Sequence, residues 1–367
     1  MNTSMIFTGN QRYPTSHSSS VCELPNGELM VAWFAGKREG SPDSVILSSR
    51  LQPGSMEWDE PKVLVDVYQH AAGNPRLFIG PDEGLWLIAP VNYGRWCSGG
   101  TRMFLKRSYD QGQTWTDLEI FTNRPRILGK NKPIFVKPNI WIVPVEYEGL
   151  GDVCFMRSAN GGKSWQTFDC KGGGAYLDQP TVVELGDGTL LSYLRSWEGY
   201  IYETRSTDKG RTWSKAKPTA LHNPNSGIDM LNIHYKKLVL AYNPTALGAD
   251  GTLTSEQGPK DRAPILESQD ALEEAGMYEL DRMIDKKPPT VEMHQGGYLP
   301  WGPRTPLNLG VSEDDGATWR DAIVLEDTPG EYSYPSIILG KDNVIHLTYT
   351  YHRTGIKYVR LNVSELG

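Results

Sequence analysis

The segment SYDQGQTW, from Ser108 to Trp115, is a clear copy of an eight-residue pattern that recurs along the chain. The pattern is Ser-x-Asp-x-Gly-x-Thr-Trp, and it returns as STDKGRTW from Ser206 and as SEDDGATW from Ser312. An Asp side chain can accept hydrogen bonds from the backbone of a tight turn, and a Gly permits a positive φ. We call this pattern the turn box and interpret each copy as a hairpin turn whose Trp packs at the start of the next strand.

Two weaker copies extend the series. SANGGKSW, from Ser158, has Asn160 in place of Asp and Ser164 in place of Thr, and SSRLQPGSMEW, ending at Trp58, is a degenerate first copy. The copies that begin at Ser108, Ser158 and Ser206 are about 50 residues apart, and the next begins at Ser312, about two periods on. A period of about 50 residues matches one four-stranded propeller blade. The turn boxes therefore predict a repeated blade, with a structural rather than a catalytic role for their Asp residues.

Six apolar, strand-like runs lie about one blade apart, and most follow a turn dipeptide such as Asn26-Gly27 or Asp187-Gly188. The runs are LMVAWFA, GLWLIAP, IWIVPVEY, TLLSYLRS, LVLAYNP and VIHLTYTY. Many short strands joined by tight turns also account for the 38 Gly and 25 Pro residues. The predicted fold is all-β, a six-bladed β-propeller that forms a single domain over residues 1–367.

One stretch interrupts the repeat. Residues 245–303 are polar, charged and rich in proline, and residues 263–286 within them carry apolar side chains at helical spacing. Pro264 stands where the start of a helix tolerates proline. We predict a partly helical insertion that caps one face of the propeller, either as a neutral surface loop or as a lid over a ligand pocket.

Charge and hydropathy exclude two classes of partner. The chain has a net charge of −7 and no long run of Lys or Arg, so nucleic acid is not expected. No apolar run approaches the roughly 20 residues of a membrane span, so no membrane is expected either. The first twenty residues lack the basic and then apolar segments of a signal peptide. The chain as written therefore predicts a cytoplasmic protein, or a secreted one whose signal has been removed, and leaves the oligomeric state open.

The cysteines do not indicate a metal site. Cys22, Cys97, Cys154 and Cys170 form no Cys-x-x-Cys pair and no Cys/His ligand spacing, so zinc is not expected. Two disulfides are conceivable in a secreted protein, but we interpret the four residues as buried free thiols. The sequence predicts neither a metal nor an organic cofactor.

Polar residues beside the strand runs resemble those of the BNR/Asp-box propellers of the sialidase superfamily, in particular its predicted-neuraminidase branch. The resemblance runs from about His17 to Tyr358. It is carried by HSSSVCELPNGELMVAWFAGKREGSPD, GNPRLF, DQPTVVELGDGTLLSYLRS, HNPNSG, RTPLNLGVSEDDGATW, and EYSYPSIIL followed by YTYHRTGIKY. It implies an enzyme that removes a terminal α-linked acidic sugar, with sialic acid as first choice, from a glycan or a free oligosaccharide.

In that superfamily three arginines hold the sugar carboxylate, a Tyr attacks the anomeric carbon, a Glu activates the Tyr, and a loop acid protonates the leaving group. The resemblance assigns the second arginine to Arg195 and the third to Arg304. It assigns the nucleophile to Tyr334, with Tyr332 as the competing choice. A neutral Tyr suits this reaction because the sugar carboxylate would repel an anionic Asp or Glu.

Two positions depart from the family pattern. His17 stands where the first arginine is expected, and Gln179 stands where the activating Glu is expected. Because Gln cannot accept a proton as a base, either Asp178 or Glu331 takes over, or Gln179 has another role such as binding a sugar hydroxyl. The missing first arginine has two candidate replacements, Arg38 and Arg353.

The loop KREGSPD, residues 37–43, offers the general acid. By resemblance Glu39 corresponds better to the acid, whereas Asp43 holds the loop by hydrogen bonds. Burial near the propeller axis would raise the pKa of such an acid into the useful range. Further candidates for binding sugar hydroxyls recur at blade spacing: Asn74, Lys132, Asn223 and Asn225.

These residues predict an exo-α-sialidase that retains configuration, with Tyr334 as nucleophile and Glu39 or Asp43 as acid and then base. Two alternatives remain. The first is a glycosidase or lyase for another acidic or neutral sugar, which His17 and Gln179 favour; in a lyase, His17 and Tyr334 would form the acid–base pair. The second is a carbohydrate-binding propeller without catalysis.

Overall fold

The computed structural model describes residues 1–93, 100–122, 124–246 and 302–367. The strands in these ranges form six antiparallel sheets. The predicted all-β, six-bladed propeller is therefore confirmed. The predicted partly helical insertion and its possible lid function fall almost entirely on residues 247–301, which lie outside the described residues.

The first three blades follow one another along the chain. Blade 1 consists of β2 (Thr15–Glu23), β3 (Leu29–Gly36), β4 (Val45–Leu51) and β5 (Lys62–Val65). Blade 2 begins with two short strands, β6 (Ala71–Ala72) and β7 (Arg76–Ile79), which both pair with β8 (Leu85–Asn92), and continues with β9 (Thr101–Ser108) and β10 (Glu119–Ile120). Blade 3 likewise begins with β11 (Ile127–Leu128) and β12 (Ile134–Val136), which both pair with β13 (Ile140–Tyr147), and continues with β14 (Asp152–Ser158) and β15 (Gln166–Cys170).

The other three blades complete the ring. Blade 4 consists of β16 (Leu177–Glu184), β17 (Leu190–Ser196), β18 (Tyr200–Ser206) and β19 (Lys217–His222). Blade 5 consists of β20 (Asp229–His234), β21 (Lys237–Tyr242), β22 (Leu307–Ser312) and β23 (Arg320–Glu326). Blade 6 consists of β24 (Tyr332–Leu339), β25 (Val344–Tyr351), β26 (Gly355–Asn362) and β1 (Asn2–Thr8), which comes from the start of the chain. A short 3₁₀ helix, Val363–Leu366, follows β26.

The second strand of each blade is buried on both faces. In β3 every residue of LMVAWFAG is buried, which explains a continuous apolar run where a half-exposed strand would alternate. The apolar clusters lie between neighbouring blades: Trp33, for example, packs with Phe7 and Tyr358 of blade 6. The core is therefore a series of seams between sheets.

The turn boxes join the third and fourth strands of blades 2 to 5. In the first clear copy, Asp110 accepts hydrogen bonds from the backbone nitrogen of Thr114 at 2.8 Å and from its hydroxyl at 2.5 Å, while the Gly112 nitrogen donates to the Ser108 hydroxyl at 2.7 Å. The hydrogen bonds from Thr114 hold the pKa of Asp110 well below its usual value. The box is a turn, as predicted.

The tryptophans of the boxes reach further than predicted, because they pack on the preceding blade. Trp213 stacks on Phe155 of blade 3 with ring centroids 3.6 Å apart. Trp319 donates from Nε1 to the Tyr193 hydroxyl of blade 4 at 2.9 Å. Each of these boxes thus closes a turn and also joins two blades.

Blade 6 has no turn box because its fourth strand is β1, which pairs antiparallel with β26. The ring is thus closed by the first strand of the chain.

Among the described residues, no helix is long and apolar enough to cross a membrane. No cluster of His, Cys, Asp or Glu in those residues has a geometry that would hold a metal ion. Cys22, Cys154 and Cys170 are buried free thiols, as predicted, and burial raises the pKa of Cys22 to about 12. Cys97 lies outside the described residues.

Candidate active site

Three inner strands carry an irregularity at the same place. The pairing register shifts between His17 and Ser20 in β2, between Asp178 and Thr181 in β16, and between Ser333 and Ser336 in β24. The first residue inside each shift has a positive φ: Ser18 at 54°, Gln179 at 45° and Tyr334 at 53°. Bulges of this kind redirect side chains and occur often beside active sites.

Tyr334 is the centre of the site. Its hydroxyl oxygen accepts hydrogen bonds from Arg195 Nη1 at 2.7 Å and from Gln179 Nε2 at 3.1 Å. The guanidinium carbons of Arg195 and Arg304 each lie 5.6 Å from the centre of its ring. The ring of His17 packs against the ring of Tyr334, with centroids 4.0 Å apart. The structure therefore brings together five of the residues predicted from the sequence.

Arg195 is held by neutral groups. Its Nε atom donates to Asn225 Oδ1 at 2.7 Å, and Nη1 donates to Gln179 Oε1 at 2.9 Å as well as to Tyr334. We call Arg195, Gln179, Asn225 and Tyr334 the Arg195 cluster. Gln179 thus fixes both the arginine and the phenol, which explains its position without requiring it to be a base.

Two buried carboxyl groups lie behind the Arg195 cluster. Burial raises the pKa of Glu146, and the nearby charge of Asp178 raises it further. Burial also raises the pKa of Asp178, which accepts a hydrogen bond from Trp197 Nε1 at 2.9 Å. Glu146 accepts a hydrogen bond from the backbone nitrogen of Gln179. Neither carboxyl group is hydrogen-bonded to the hydroxyl of Tyr334, so both act here by bracing its surroundings.

The remaining arginines belong to a line of alternating charges. Glu331 Oε1 accepts from Arg304 Nη1 at 2.8 Å and from Arg353 Nε at 2.7 Å, and Arg353 Nη1 also contacts Glu39. We call these four residues the ion-pair chain. Burial alone would raise the pKa of Glu331, but Arg353 and Arg304 outweigh it and hold the pKa at about 2. Glu331 is therefore a poor base for Tyr334.

The loop of residues 37–43, which we call the acid loop, places the two candidates for the general acid, Glu39 and Asp43, in different surroundings. The side chain of Glu39 is 30% exposed and faces Arg353. Asp43 is exposed and accepts hydrogen bonds from Ser41 Oγ and from the backbone nitrogen of Lys37, the latter at 3.2 Å. Asp43 therefore holds the loop through these hydrogen bonds, and Glu39 is the carboxylate that contacts the ion-paired arginine Arg353.

His17 is buried and neutral. Burial lowers the pKa of its imidazole well below 6.5, and the charges of Arg353, Arg304, Arg195 and Lys130 lower it further. Neither ring nitrogen has a hydrogen-bond partner among the described residues. In the place expected for a first arginine, the protein thus presents an uncharged ring.

Several weaker candidates have structural contacts instead. Asn223 Nδ2 donates to the Ser226 carbonyl at 3.0 Å, and its Oδ1 accepts from the Ser226 nitrogen, so Asn223 closes its own turn. Lys132 forms an ion pair with Asp229 at 2.7 Å. The hydroxyl of Tyr332 lies 2.6 Å from Thr328 Oγ1, away from the Arg195 cluster.

For two other candidates the structure gives no side-chain hydrogen bond to a described residue. Asn74 is buried with a φ of 31° just before β7. Arg38 is half-buried and lines a surface depression with Thr15 and Asp43. Their binding roles stay predictions.

Sequence reasoning missed Lys130. This fully buried lysine donates to Asn131 Oδ1 at 2.9 Å and to the Pro335 carbonyl, and its Nζ atom lies 5.8 Å from the centre of the Tyr334 ring. Burial lowers its pKa to about 7. The available signal was the segment GKNKP, in which the second lysine was chosen although the first one faces the site.

Comparison with known proteins agrees with this architecture. A family model described as BNR repeat-like domain matches residues 27–347. The anhydrosialidase of Macrobdella decora is 28% identical over 164 residues, which is 40% of this chain and only 20% of that protein.

Two solved structures extend the likeness over the whole chain. The leech intramolecular trans-sialidase complexed with 2,7-anhydro-Neu5Ac has a TM-score of 0.72 at 14% identity, covering 100% of this chain and 71% of that one. The intramolecular trans-sialidase from Ruminococcus gnavus, in complex with oseltamivir carboxylate, has a TM-score of 0.70 at 16% identity, covering 98% and 97%. At such identities the likeness establishes the fold alone. With the family match over residues 27–347, it follows that the chain belongs to the BNR repeat-like domain family and is a six-bladed propeller of the sialidase superfamily.

Proposed function

We propose that this protein is a glycoside hydrolase that removes a terminal α-linked sialic acid, or a related nonulosonic acid, from a glycan or oligosaccharide with retention of configuration. The observation that carries the proposal is the hydroxyl of Tyr334, which accepts hydrogen bonds from Arg195 at 2.7 Å and from Gln179 at 3.1 Å. A phenol oxygen held by a cation is suited to nucleophilic attack.

Arg195 is the anchor for the sugar carboxylate. Its hydrogen bonds to described residues use Nε and Nη1, and their acceptors are all uncharged. A guanidinium with neutral partners retains its attraction for an anion, and its planar fork matches a carboxylate. Arg304, 5.6 Å from the Tyr334 ring, adds positive potential although it is already paired with Glu331.

In the reaction, Tyr334 reacts as the phenolate that is left when its proton has passed to water, and its Oη forms a bond to the anomeric carbon as the bond to the leaving oxygen breaks. Arg195 stabilises the negative charge on the phenol oxygen, and Glu39 gives a proton to the leaving group. A water molecule then gives its proton to Glu39 and displaces the tyrosine. Two displacements at one carbon give net retention.

Covalent labelling tests the proposal. A 3-fluoro sialyl fluoride should label wild-type protein on Tyr334, located by mass spectrometry of peptides, and NMR should show that the first product has the configuration of the substrate. Labelling of a carboxylate, or an inverted first product, would overturn the tyrosine mechanism.

A second candidate function is a glycosidase for a different acidic or neutral sugar. The ion-pair chain favours it, because Arg304 and Arg353 are already neutralised by Glu331 and Glu39, and because His17 is uncharged. Aryl glycosides of sialic acid, glucuronic acid and neutral hexoses, assayed in parallel, distinguish the two. Turnover of the sialoside alone supports the first function, and turnover of another member supports the second.

A further inference from the structure

Two backbone segments at the centre of the propeller are held in unusual conformations. Gln179 and Tyr334 both have positive φ, at 45° and 53°, and each is followed by a proline. Bulky residues adopt this conformation only where surrounding contacts impose it. The side chains of these two residues also meet, with Gln179 Nε2 donating to the Tyr334 hydroxyl at 3.1 Å.

One dipeptide contacts the backbones of both segments. Lys130 and Asn131 lie in blade 3, between β11 and β12. Lys130 Nζ donates to the carbonyl of Pro335, the residue after Tyr334. Asn131 Nδ2 donates to the carbonyls of Gln179 at 3.0 Å and of Pro180 at 3.1 Å. The dipeptide therefore spans the axis and holds both irregular segments at their backbones.

The same dipeptide is fixed internally and closely packed. Lys130 Nζ also donates to Asn131 Oδ1 at 2.9 Å, so the two side chains form one unit. Gly227 lies directly against the lysine: a Cβ at that position would be 3.3 Å from Lys130 Cδ and 3.2 Å from Gln179 Oε1. The backbone just before the first strand of blade 5 therefore also packs against this unit.

We propose that Lys130 and Asn131 are positioning residues for catalysis, which hold the backbones of Tyr334 and Gln179 so that the phenol oxygen is aligned between Arg195 and the sugar. The inference rests on the proposed function of Tyr334. Displacement of a reacting atom by about 1 Å can cost a hundredfold in rate. Loss of the hydrogen bonds from Lys130 and Asn131 to these backbones should therefore lower kcat much more than it changes KM.

The charge of Lys130 gives this role a pH signature. Burial lowers its pKa to about 7; the facing Asp229 raises it, Lys132 and Arg195 lower it, and the Tyr334 ring lies 5.8 Å away. A charged donor makes a stronger hydrogen bond than a neutral amine. The hold on the Pro335 carbonyl should weaken as the pH rises through about 7, and kcat should fall over the same interval.

The test compares Lys130→Met, Lys130→Arg and Asn131→Leu with the wild type. We expect Lys130→Met to lower the rate of Tyr334 labelling by a 3-fluoro sialyl fluoride about 30-fold to 100-fold, with less than threefold change in the Kd of a 2,3-unsaturated sialic acid analogue. Asn131→Leu should act in the same direction. Lys130→Arg, which stays charged, should recover part of the rate and remove the fall above pH 7.

Stability separates positioning from a merely structural role. Below pH 7 the wild type carries a buried charge that the methionine variant lacks, so Lys130→Met should unfold at an equal or higher temperature there. Above pH 7 the unfolded lysine binds a proton that the folded one does not. Wild-type stability relative to the variant should therefore rise between about pH 7 and 10.

Lys132→Met is the matched control. Lys132 lies two residues away and pairs with Asp229, but it does not touch the backbone of either irregular segment. We expect it to lower the unfolding temperature while the labelling rate of the remaining folded protein changes less than threefold. Equal labelling rates in Lys130→Met and wild type, or parallel losses of stability and rate, would overturn the positioning role. Failure of wild type to label at all would instead overturn the proposed function of Tyr334, and the inference with it.

Discussion

The Arg195 cluster and the ion-pair chain lie around the same tyrosine and treat positive charge in opposite ways. Arg195 donates to an amide, another amide and a phenol, with the carboxyl groups of Asp178 and Glu146 kept behind it. In the ion-pair chain each arginine contacts a carboxylate directly. One region therefore keeps its charge available to a ligand, whereas the other is neutral in itself and holds the acid loop in place.

The largest effect should come from the atom on which this comparison centres. Tyr334→Phe removes the nucleophile and the acceptor for Arg195, so kcat should fall at least about a thousandfold, roughly 4 kcal/mol. Tyr332→Phe is the control, because its hydroxyl meets Thr328 outside the Arg195 cluster. Steady-state assays on an aryl sialoside should show Tyr332→Phe within about threefold of wild type; equal losses would place the nucleophile elsewhere.

The two arginine environments should differ next. Arg195→Lys loses the fork that joins Asn225, Gln179 and Tyr334, and kcat/KM should fall about a hundredfold. Arg304→Lys can still pair with Glu331, and we expect a loss of about tenfold or less. The same assay measures both, and a reversed order would show that the ion-pair chain, not Arg195, anchors the sugar.

The acid loop should give a loss that depends on the substrate. Glu39→Gln removes the proton donor, so turnover of a sialyl-lactose should fall about a hundredfold, whereas an aryl sialoside with a good leaving group should lose much less. Asp43→Asn keeps most of the loop bonds to Ser41 and Lys37 and should change both rates little. A uniform loss on both substrates would assign Glu39 to binding.

The smallest effect on turnover is expected at Glu331, whose contribution is to stability. Its folded pKa of about 2 lies below the unfolded value, so the stabilisation is present above about pH 4.5 and is lost as the pH falls toward 2. Urea unfolding of wild type and Glu331→Gln should differ by on the order of 3 kcal/mol at pH 6 and converge as the pH falls to about 2. A gap that does not change with pH would mean that Glu331 acts through packing.

The fold was accessible from the sequence because each turn box is local. Asp110, Gly112 and Thr114 make their contacts within a few residues, so the turn can be predicted from the motif alone. The spacing between copies of the motif then predicts the length of one blade. The lack of a sixth box has a physical cause: the outer strand of blade 6 is β1, so no third-to-fourth-strand turn exists there. What the sequence did not show is that the tryptophans pack across blade seams.

The site was only partly accessible, because its contacts join distant blades. The resemblance placed Tyr334, Gln179 and Arg195 together, but it could not show that Glu331 lies between two arginines. Lys130 and Lys132 are two residues apart and chemically equal, and only the neighbouring blades decide which of them turns toward the tyrosine. Which residue faces the axis is therefore determined by contacts between blades, and the sequence of one segment does not contain that information.

The closure of the ring by β1 also limits when the contacts between blades 1 and 6 can form during synthesis. Ser18 contacts Thr350 across 332 positions of the chain, and Glu39 contacts Arg353 across 314. A ribosome makes β1 and blade 1 first and the other three strands of blade 6 last, so blade 1 has one uncovered seam until those strands have been made. Chains that end before β26 would leave β1 without its pairing strand, and chains that end before residue 334 would also lack Tyr334.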